Sequence, residues 1–392
     1  MSSVVISGDT SGAVTISAPA VAGTTTLTLP AISGTILQSG TTVTEAQGGT
    51  GTTTGYYGFK NRIINGAMVI DQRNAGATST ANGVYTVDRW AFGAGVAGKM
   101  TWGQNYNSLT PPAGFTNYFG FKTTTAYTVG ASEFFLFYQS IEGYNTADLD
   151  FGKASAKTIT FSFWVNSTLT GTFGGVLYNS AQNRSYPFTY TISVASTWEQ
   201  KTITVVGDTT GTWLTTNGNG LTLTFGLGVG STYNGTATGA WQAATYLGAT
   251  GATSVVATLN ATWNITGVQL EKGSTATSFD YRPYGTELAL CQRYFQTYTQ
   301  PALRGTCNST STGARLGMNL PVVMRAAPTA SLGTLVGYDG AVTNNLSSIS
   351  ASYLSTTVAE FDTTFASSTF TNGRPCLIIQ SGSASMTLSA EL

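Results

Sequence analysis

The sequence predicts an all-β protein built around a jelly-roll-like sandwich. Apolar residues recur with period two, turns rich in Gly and Asn separate the runs, and a single stretch keeps helical spacing. At 392 residues the chain exceeds one small core, so more than one domain is expected.

Residues 1–44 read as an anchoring and oligomerising β segment. Val14 and Ile16, then Leu27 and Leu29, form short strands parted by Pro19 and Gly23, with too few large apolar side chains to bury a core alone. Residues 45–58, which include E-A-Q-G-G-T-G-T-T-T-G, read as a Gly/Thr linker.

The sandwich is assigned to residues 59–285. Ile159, Phe161, Phe163 and Val165 share one strand face against Thr158, Thr160 and Ser162; Leu221 to Val229 repeats the pattern, and Ile203 with Val205 is a shorter version. Trp90, Trp164 and Trp263 fall in strands and are expected in the core. In the last strand, Trp263 and Ile265 lie out of phase with Val268 and Leu270. Either a β-bulge at Gly267 returns all four to one core, or both faces are covered. Beyond it Phe279, Tyr281 and Tyr284, held by Pro283, form an aromatic tail expected to seal the sandwich edge.

Residues 286–300 read as a connecting helix with Thr286 as N-cap, Glu287 complementing the dipole, and Leu288, Cys291, Phe295 and Tyr298 on one face. Residues 301–392 alternate again, at Leu320 to Met324 and at Cys376 to Ile379, as a smaller C-terminal β-domain.

Composition excludes several functions. Only 9% of residues are charged, with Lys+Arg and Asp+Glu balanced at 17 each, so the surface is made polar by Ser, Thr, Asn and Gly. Such a surface suits hydroxyl-rich partners. It carries no basic cluster to neutralise phosphates, which removes nucleic acid. The absence of histidine removes imidazole bases, catalytic triads and His-ligated metals. Cys291, Cys307 and Cys376 lack C-x-x-C spacing and read as reduced, buried thiols. Met1 to Asp9 lacks the pattern of a signal peptide, and no apolar run is long enough to span a membrane, so synthesis in a cytosol is expected.

Gly93-Ala-Gly-Val-Ala-Gly98 matches a dinucleotide-binding string, but Lys99 to Trp102 continues as a strand where that motif needs a helix. Asp148 with Asp150, and Glu360 with Asp362, are the carboxylate pairs that could share a strand face and cleave a polysaccharide. Asp148 and Asp150 could also ligate calcium, but no complete oxygen-rich loop signature surrounds them, and neither metal nor cofactor is expected. Asp88, Arg89, Asp71, Gln72 and Arg73 are expected to tie strands together. The candidate binding residues are Tyr233, Trp241 and Tyr246, which stand among Gly, Thr, Asn and Gln in the segment from Gly230 to Ala252. A ring face there can stack on the C–H face of a pyranose while neighbouring amides and hydroxyls bond its oxygens; packing under their own loop is the ordinary alternative.

Two blocks carry a family resemblance. Thr266 to Phe295, T-G-V-Q-L-E-K-G-S-T-A-T-S-F-D-Y-R-P-Y-G-T-E-L-A-L-C-Q-R-Y-F, looks like a signature of phage tail fibres. Lys60 to Trp90, with K-N-R-I-I-N-G-A-M-V-I-D-Q-R-N and V-Y-T-V-D-R-W, resembles the opening of the same globular module, and Asp9 to Pro30 reads like segments near the virion-attached end of such fibres. The resemblance implies a bacteriophage tail fibre or tail-tip adhesin with a jelly-roll carbohydrate-binding-like module. It implies a structural virion protein, not an enzyme, that is located at the tail, assembled in the host cytoplasm and homotrimeric. Such a protein is attached through its N-terminus to other tail proteins and binds host cell-surface polysaccharide or lipopolysaccharide. The alternatives are a capsid-associated fibre or decoration protein and a polysaccharide depolymerase.

Overall fold

The computed structural model describes residues 3–7, 13–17, 59–236, 239–298, 303–308, 313–333, 335–340, 343–365, 370–380 and 386–392. The chain divides into two compact units, Met1–Tyr56 and Tyr57–Leu392. In the first, β1 (Ser3–Ser7) and β2 (Ala13–Ser17) pair antiparallel, so Val14 and Ile16 lie in a strand as expected. Leu27, Leu29, the rest of the segment 1–44 expected to anchor the chain and the linker at 45–58 lie outside the described residues.

The second unit begins with the sandwich. Its strands are β3 (Val84–Tyr85), β4 (Ala91–Ala94), β5 (Met100–Gln104), β6 (Phe119–Thr123), β7 (Phe134–Glu142), β8 (Ile159–Ser167), β9 (Gly171–Tyr178), β10 (Ser185–Ile192), β11 (Glu199–Val205) and β12 (Asn219–Val229), followed by the two-residue strands β13 (Asn234–Gly235) and β14 (Gly248–Ala249) and by β15 (Thr262–Lys272). A six-stranded sheet, β10-β9-β12-β7-β4-β3, faces a five-stranded one, β11-β8-β15-β6-β5. Neighbours in each sheet are mostly distant in sequence, as a jelly roll requires, and every pairing within these two sheets is antiparallel.

Aromatic rings fill the space between the sheets. Phe137 stacks on Trp90 at 4.8 Å and on Phe119 at 5.0 Å, and the Trp263 indole donates to the Tyr190 hydroxyl at 3.1 Å. Each such ring, removed from water, stabilises the fold by roughly 1.5–3 kcal/mol. Trp164 departs from expectation: it lies on the opposite face of β8 from Phe163 and Val165 and is half-buried, because strict alternation turns it away from the core.

The phase change in β15 is resolved by both devices at once. Register against β8 slips between Thr266 and Gln269, and Gly267 takes φ +62°, a conformation that favours glycine. Trp263, Ile265, Val268 and Leu270 are all fully buried, and so are Asn264, Thr266 and Gln269 on the other face.

The resembling blocks meet here. Residues of the first run beside β15, with Arg62 N–H donating to the Leu270 carbonyl at 2.8 Å and Val268 N–H to the Gly66 carbonyl at 2.9 Å. Asn61 holds β15 from its side chain, donating to Val268 O and accepting from Leu270 N. Asn65 satisfies four backbone groups, donating to Ile70 O and Asp88 O and accepting from Val69 N and Ile70 N. From the second block, Arg282 donates to the carbonyls of Asn61 and Ile63 and pairs with Glu287 at 3.2 Å.

The helix is shorter than expected. α1 runs over Tyr284–Gln292 from Pro283, with Thr286 inside it and no side-chain cap, and Phe295–Tyr298 is a strand, β16. Pairing of β16 with the strand at Met386–Ser389, nearly a hundred residues on, wins over helical continuation. Of the aromatic tail, Phe279 packs on Phe115 at 5.1 Å, while Tyr281 and Tyr284 are 54% and 62% exposed and do not seal the edge.

The C-terminal segment carries its own core. β17 (Arg304–Cys307), β18 (Gly313–Asn319), β19 (Thr329–Leu332), β20 (Leu335–Tyr338), β21 (Thr343–Leu354), β22 (Val358–Phe365), β23 (Pro375–Gln380) and β24 (Met386–Ser389) follow in order. Six of them close a barrel, β17-β18-β22-β21-β20-β23, and β24 joins β16 to β19. Cys376 to Ile379 is in a strand, as expected. Leu320 to Met324 is a turn segment: Pro321 cannot donate to a ladder, and Leu320 and Met324 are buried without strand pairing. All three cysteines are free and buried.

Charged clasps join this segment to the sandwich. Glu142 at the end of β7 accepts from Arg293 Nε and Nη2 at 2.9 and 2.6 Å and from the Tyr294 hydroxyl at 2.6 Å. Arg89 pairs with Glu391 and lies over the Tyr294 ring, and Arg73 reaches Glu391 at 2.7 Å. Asp88 accepts from the Gln72 backbone and side chain, and Asp71 caps Asn74 N and Gly76 N. Asp88, Arg89, Gln72 and Arg73 therefore tie segments together, as read from the sequence, whereas Asp71 caps its own turn.

Asp88 also sets a pH dependence. Burial pushes its carboxyl up to about 6, against the opposing pull of Gln72 and Arg73. A carboxyl whose folded pKa is raised binds protons more readily in the native state. Its contribution is therefore greatest below pH 4 and is lost as the pH rises through about 6. Urea denaturation should show wild type gaining up to ~3 kcal/mol relative to Asp88→Asn between pH 7 and pH 4.

Candidate functional site

The structure separates the three aromatic residues singled out in the segment from Gly230 to Ala252. Tyr233 and Tyr246 come together over the outer face of the six-stranded sheet, half-buried with Leu247 against Leu136, Val176 and Tyr178. Tyr233 meets Phe134 edge-on at 6.1 Å. That face must be outer, because Leu136 and Val176 alternate with the core residues Phe137 and Leu177. The loop is pinned there by Ser185, whose backbone pairs with Gln242 and whose hydroxyl donates to Ala244 O at 2.7 Å. Both tyrosines thus pack under their own loop.

Trp241 goes elsewhere. Its indole donates to Val206 O at 2.7 Å, and its ring meets Trp213 at 5.1 Å, Tyr186 at 5.3 Å and Phe151 at 5.7 Å, the Trp pair nearly perpendicular at 83°. Phe151 and Tyr186 are buried, whereas Trp213 and Trp241 keep part of their surface in water. Beside them stand the exposed Val206 and Leu214. The result is an aromatic edge on the sandwich, with two indoles backed by buried rings.

That edge is held rigid from below. Arg184 donates in parallel to both Asp208 carboxylate oxygens at 2.7 Å, and this bidentate bond raises the guanidinium pKa. Asp208, with its side chain only 2% exposed, also accepts from Thr210 N and Oγ1. The Thr210 carbonyl then accepts from the Trp213 indole at 3.1 Å. The turn between them uses Gly211 at φ +79°, where a side chain would also collide with Arg184. Trp213 was missed in the sequence, although G-T-W-L-T-T-N-G shares the Gly/Thr setting that drew attention to Trp241.

The carboxylate pairs are also placed. Asp148 and Asp150 do not share a strand face: Asp148 is in a 3-10 turn, Ala147–Leu149, and Asp150 follows with φ +55°. Asp148 bonds Arg62 at 2.9 Å and Lys272 at 3.3 Å, and Asp150 bonds Lys153 at 2.8 Å. Glu360 and Asp362 do share the outer face of β22, where Asp362 pairs with Arg315 at 2.9 Å. The G-x-G-x-x-G string lies on β4 and the turn to β5, with no helix after it. Among the described residues no group of three or more His, Cys, Asp or Glu gathers as a metal site, and no helix is long and apolar enough to cross a membrane.

No protein-family model matches the chain, and no curated protein sequence does. Among solved structures it is similar to the enzymatically active domain of tailspike protein 4 from bacteriophage CBA120, at 12% identity and TM-score 0.32, covering 55% of this chain and 22% of that one. It is similar to a family 11 carbohydrate-binding module from Clostridium thermocellum in complex with a mixed-linked tetrasaccharide, at 10% identity and TM-score 0.25, over 51% and 97% of the two chains. A third is a family 61 module in complex with β-1,4-galactotriose, at 10% identity and TM-score 0.25, over 47% and 88%. These superpositions are too loose to bear on what this chain binds, and the fold rests on its own sheet topology.

Proposed function

We propose that this protein is a homotrimeric phage tail fibre or tail-tip adhesin that binds host cell-surface glycan, polysaccharide or lipopolysaccharide, and that the Trp213–Trp241 edge makes the contact. The observation that carries the reading is the edge itself. Two partly exposed indoles are fixed by buried rings and by the Arg184–Asp208 pair, on a protein whose surface is otherwise hydroxyl-rich. Little side-chain freedom is left to lose on binding, which favours even a weak ligand. Three copies on one fibre multiply weak sugar contacts into firm attachment. The two resembling blocks support the reading as structure: their polar residues build the clasp that positions β15 and the C-terminal segment.

Trp213→Ala and Trp241→Ala, singly and together, should lower adsorption of the purified protein to host cells by roughly tenfold or more for the pair. The urea midpoint should move little for Trp213→Ala. Unchanged adsorption with intact fold would remove this edge from the account, and a monomeric mass of the full chain in solution would remove the trimer.

A further inference from the structure

The chain has seven tryptophans, and six of them donate the indole N–H to an acceptor inside the protein. Trp164 is the exception. Its Nε1 has no acceptor among the described residues, yet it is not sealed from solvent, because Trp164 is only half-buried on the outer face of β8. A fixed ring with an open N–H suits a partner that is apolar on one side and carries acceptor oxygens.

The side chains in register with Trp164 define the rest of that partner. Gln200 stands opposite it on the edge strand β11, and Thr202 shares the same face two residues on. Both are exposed, and neither side chain has a hydrogen-bond partner among the described residues. On the other side Thr266 of β15 is opposite Trp164 and donates its hydroxyl to the Asn117 carbonyl at 2.7 Å. None of these neighbours is charged. Glu199 and Lys201 pair with each other at 2.6 Å and, by alternation, lie on the opposite face of β11.

Further rings bound the place. A Cβ on Gly267 would come within 2.6 Å of Phe115 and 3.1 Å of Trp164, so these two half-buried rings stand side by side over the bulge. Trp198, just before β11, is fixed on the same outer side: its indole donates to the Thr110 carbonyl at 2.9 Å and its ring meets Tyr118 edge-on at 5.6 Å. We propose that Trp164, Gln200 and Thr202 form a second glycan subsite, on the outer face of the five-stranded sheet, that takes an uncharged pyranose unit. The indole N–H donates to a sugar oxygen, the carboxamide and the hydroxyl each donate and accept, and the rings cover C–H groups. An acidic sugar gains nothing extra, because no cation is in register with Trp164. The subsite rests on the reading that the protein binds glycan, but it shares no residue with the Trp213–Trp241 edge, so the two are separable by mutation.

The test is NMR of the full-length protein labelled with ¹⁵N at the tryptophan indoles, the Trp164 resonance being assigned by its loss in Trp164→Phe. Methyl glycosides of glucose, galactose and mannose are titrated, with methyl glucuronide beside them. At least one neutral glycoside should move the Trp164 resonance with roughly millimolar affinity, the glucuronide should bind no more tightly, and Gln200→Ala/Thr202→Ala should weaken binding about tenfold. Both residues are exposed, so an unchanged urea midpoint will show that this double variant is folded. Movement of the Trp213 and Trp241 resonances while Trp164 stays still overturns this subsite and leaves the edge standing. Movement of Trp164 that persists in Trp213→Ala/Trp241→Ala supports it. A shift left unchanged by Gln200→Ala/Thr202→Ala, tenfold tighter binding of the glucuronide, or no shift of Trp164 with any neutral glycoside overturns it as well.

Discussion

Asn65→Ala should destabilise the protein by roughly 3–5 kcal/mol, more than any single ring contact at the surface. The Asn65 carboxamide is 1% exposed and serves Val69 N and Ile70 N with its oxygen and Ile70 O and Asp88 O with its nitrogen. Alanine leaves these groups buried with no water to replace the lost partner. The turn they form also carries Asn65 at φ +58° and Met68 at φ +57°, so the carboxamide offsets backbone strain as well. Urea denaturation of the full chain measures the effect, with Asn82→Ala as control. That residue donates one side-chain bond, to Ala94 O, and its loss should cost about 1 kcal/mol. Equal midpoints for Asn65→Ala and wild type would show that the clasp is not what holds the first block in place.

Glu391→Ala should cost a similar amount, roughly 3–5 kcal/mol, although the residue is next to last in the sequence. Its side chain is 5% exposed and receives Arg89, itself 1% exposed, and Arg73 at 2.7 Å. Removing the carboxylate strands a guanidinium in a site where, among the described residues, the Ser140 carbonyl and the Tyr294 ring remain to it. The double variant Arg89→Met/Glu391→Met should recover much of the loss, because no charge is then left uncompensated. Thermal or urea melts of the three variants decide the matter. If the double variant is no better than Glu391→Ala, the cost lies in lost packing and not in the stranded charge.

Both predictions concern residues whose identity drew notice in the sequence only as part of a resembling block or not at all. The alternation of Phe161, Phe163 and Val165 is local and readable, since strand pleating alone assigns sides. The break of phase at Gly267 is readable for the same reason. The helix was overextended because Phe295 and Tyr298 keep helical spacing with Leu288 and Cys291, and nothing nearby reveals that β24 will claim them. The proposed binding edge was half legible. Trp241 stood out by composition, but its partner Trp213 sits 28 residues away, and Tyr233 and Tyr246, close in sequence, are drawn to another surface by Leu136 and Val176.

By itself the sequence determined the all-β class, the core strands, the break of phase at Gly267 and a surface made polar by hydroxyls and amides, because these follow from side-chain periodicity and composition. Only the tertiary structure decided which aromatics share an edge, where the two blocks meet, and how the last residues brace the sandwich. Those outcomes depend on pairings between strands far apart in the chain, and the free energy that selects them comes from burial and from satisfied polar groups that no local window contains.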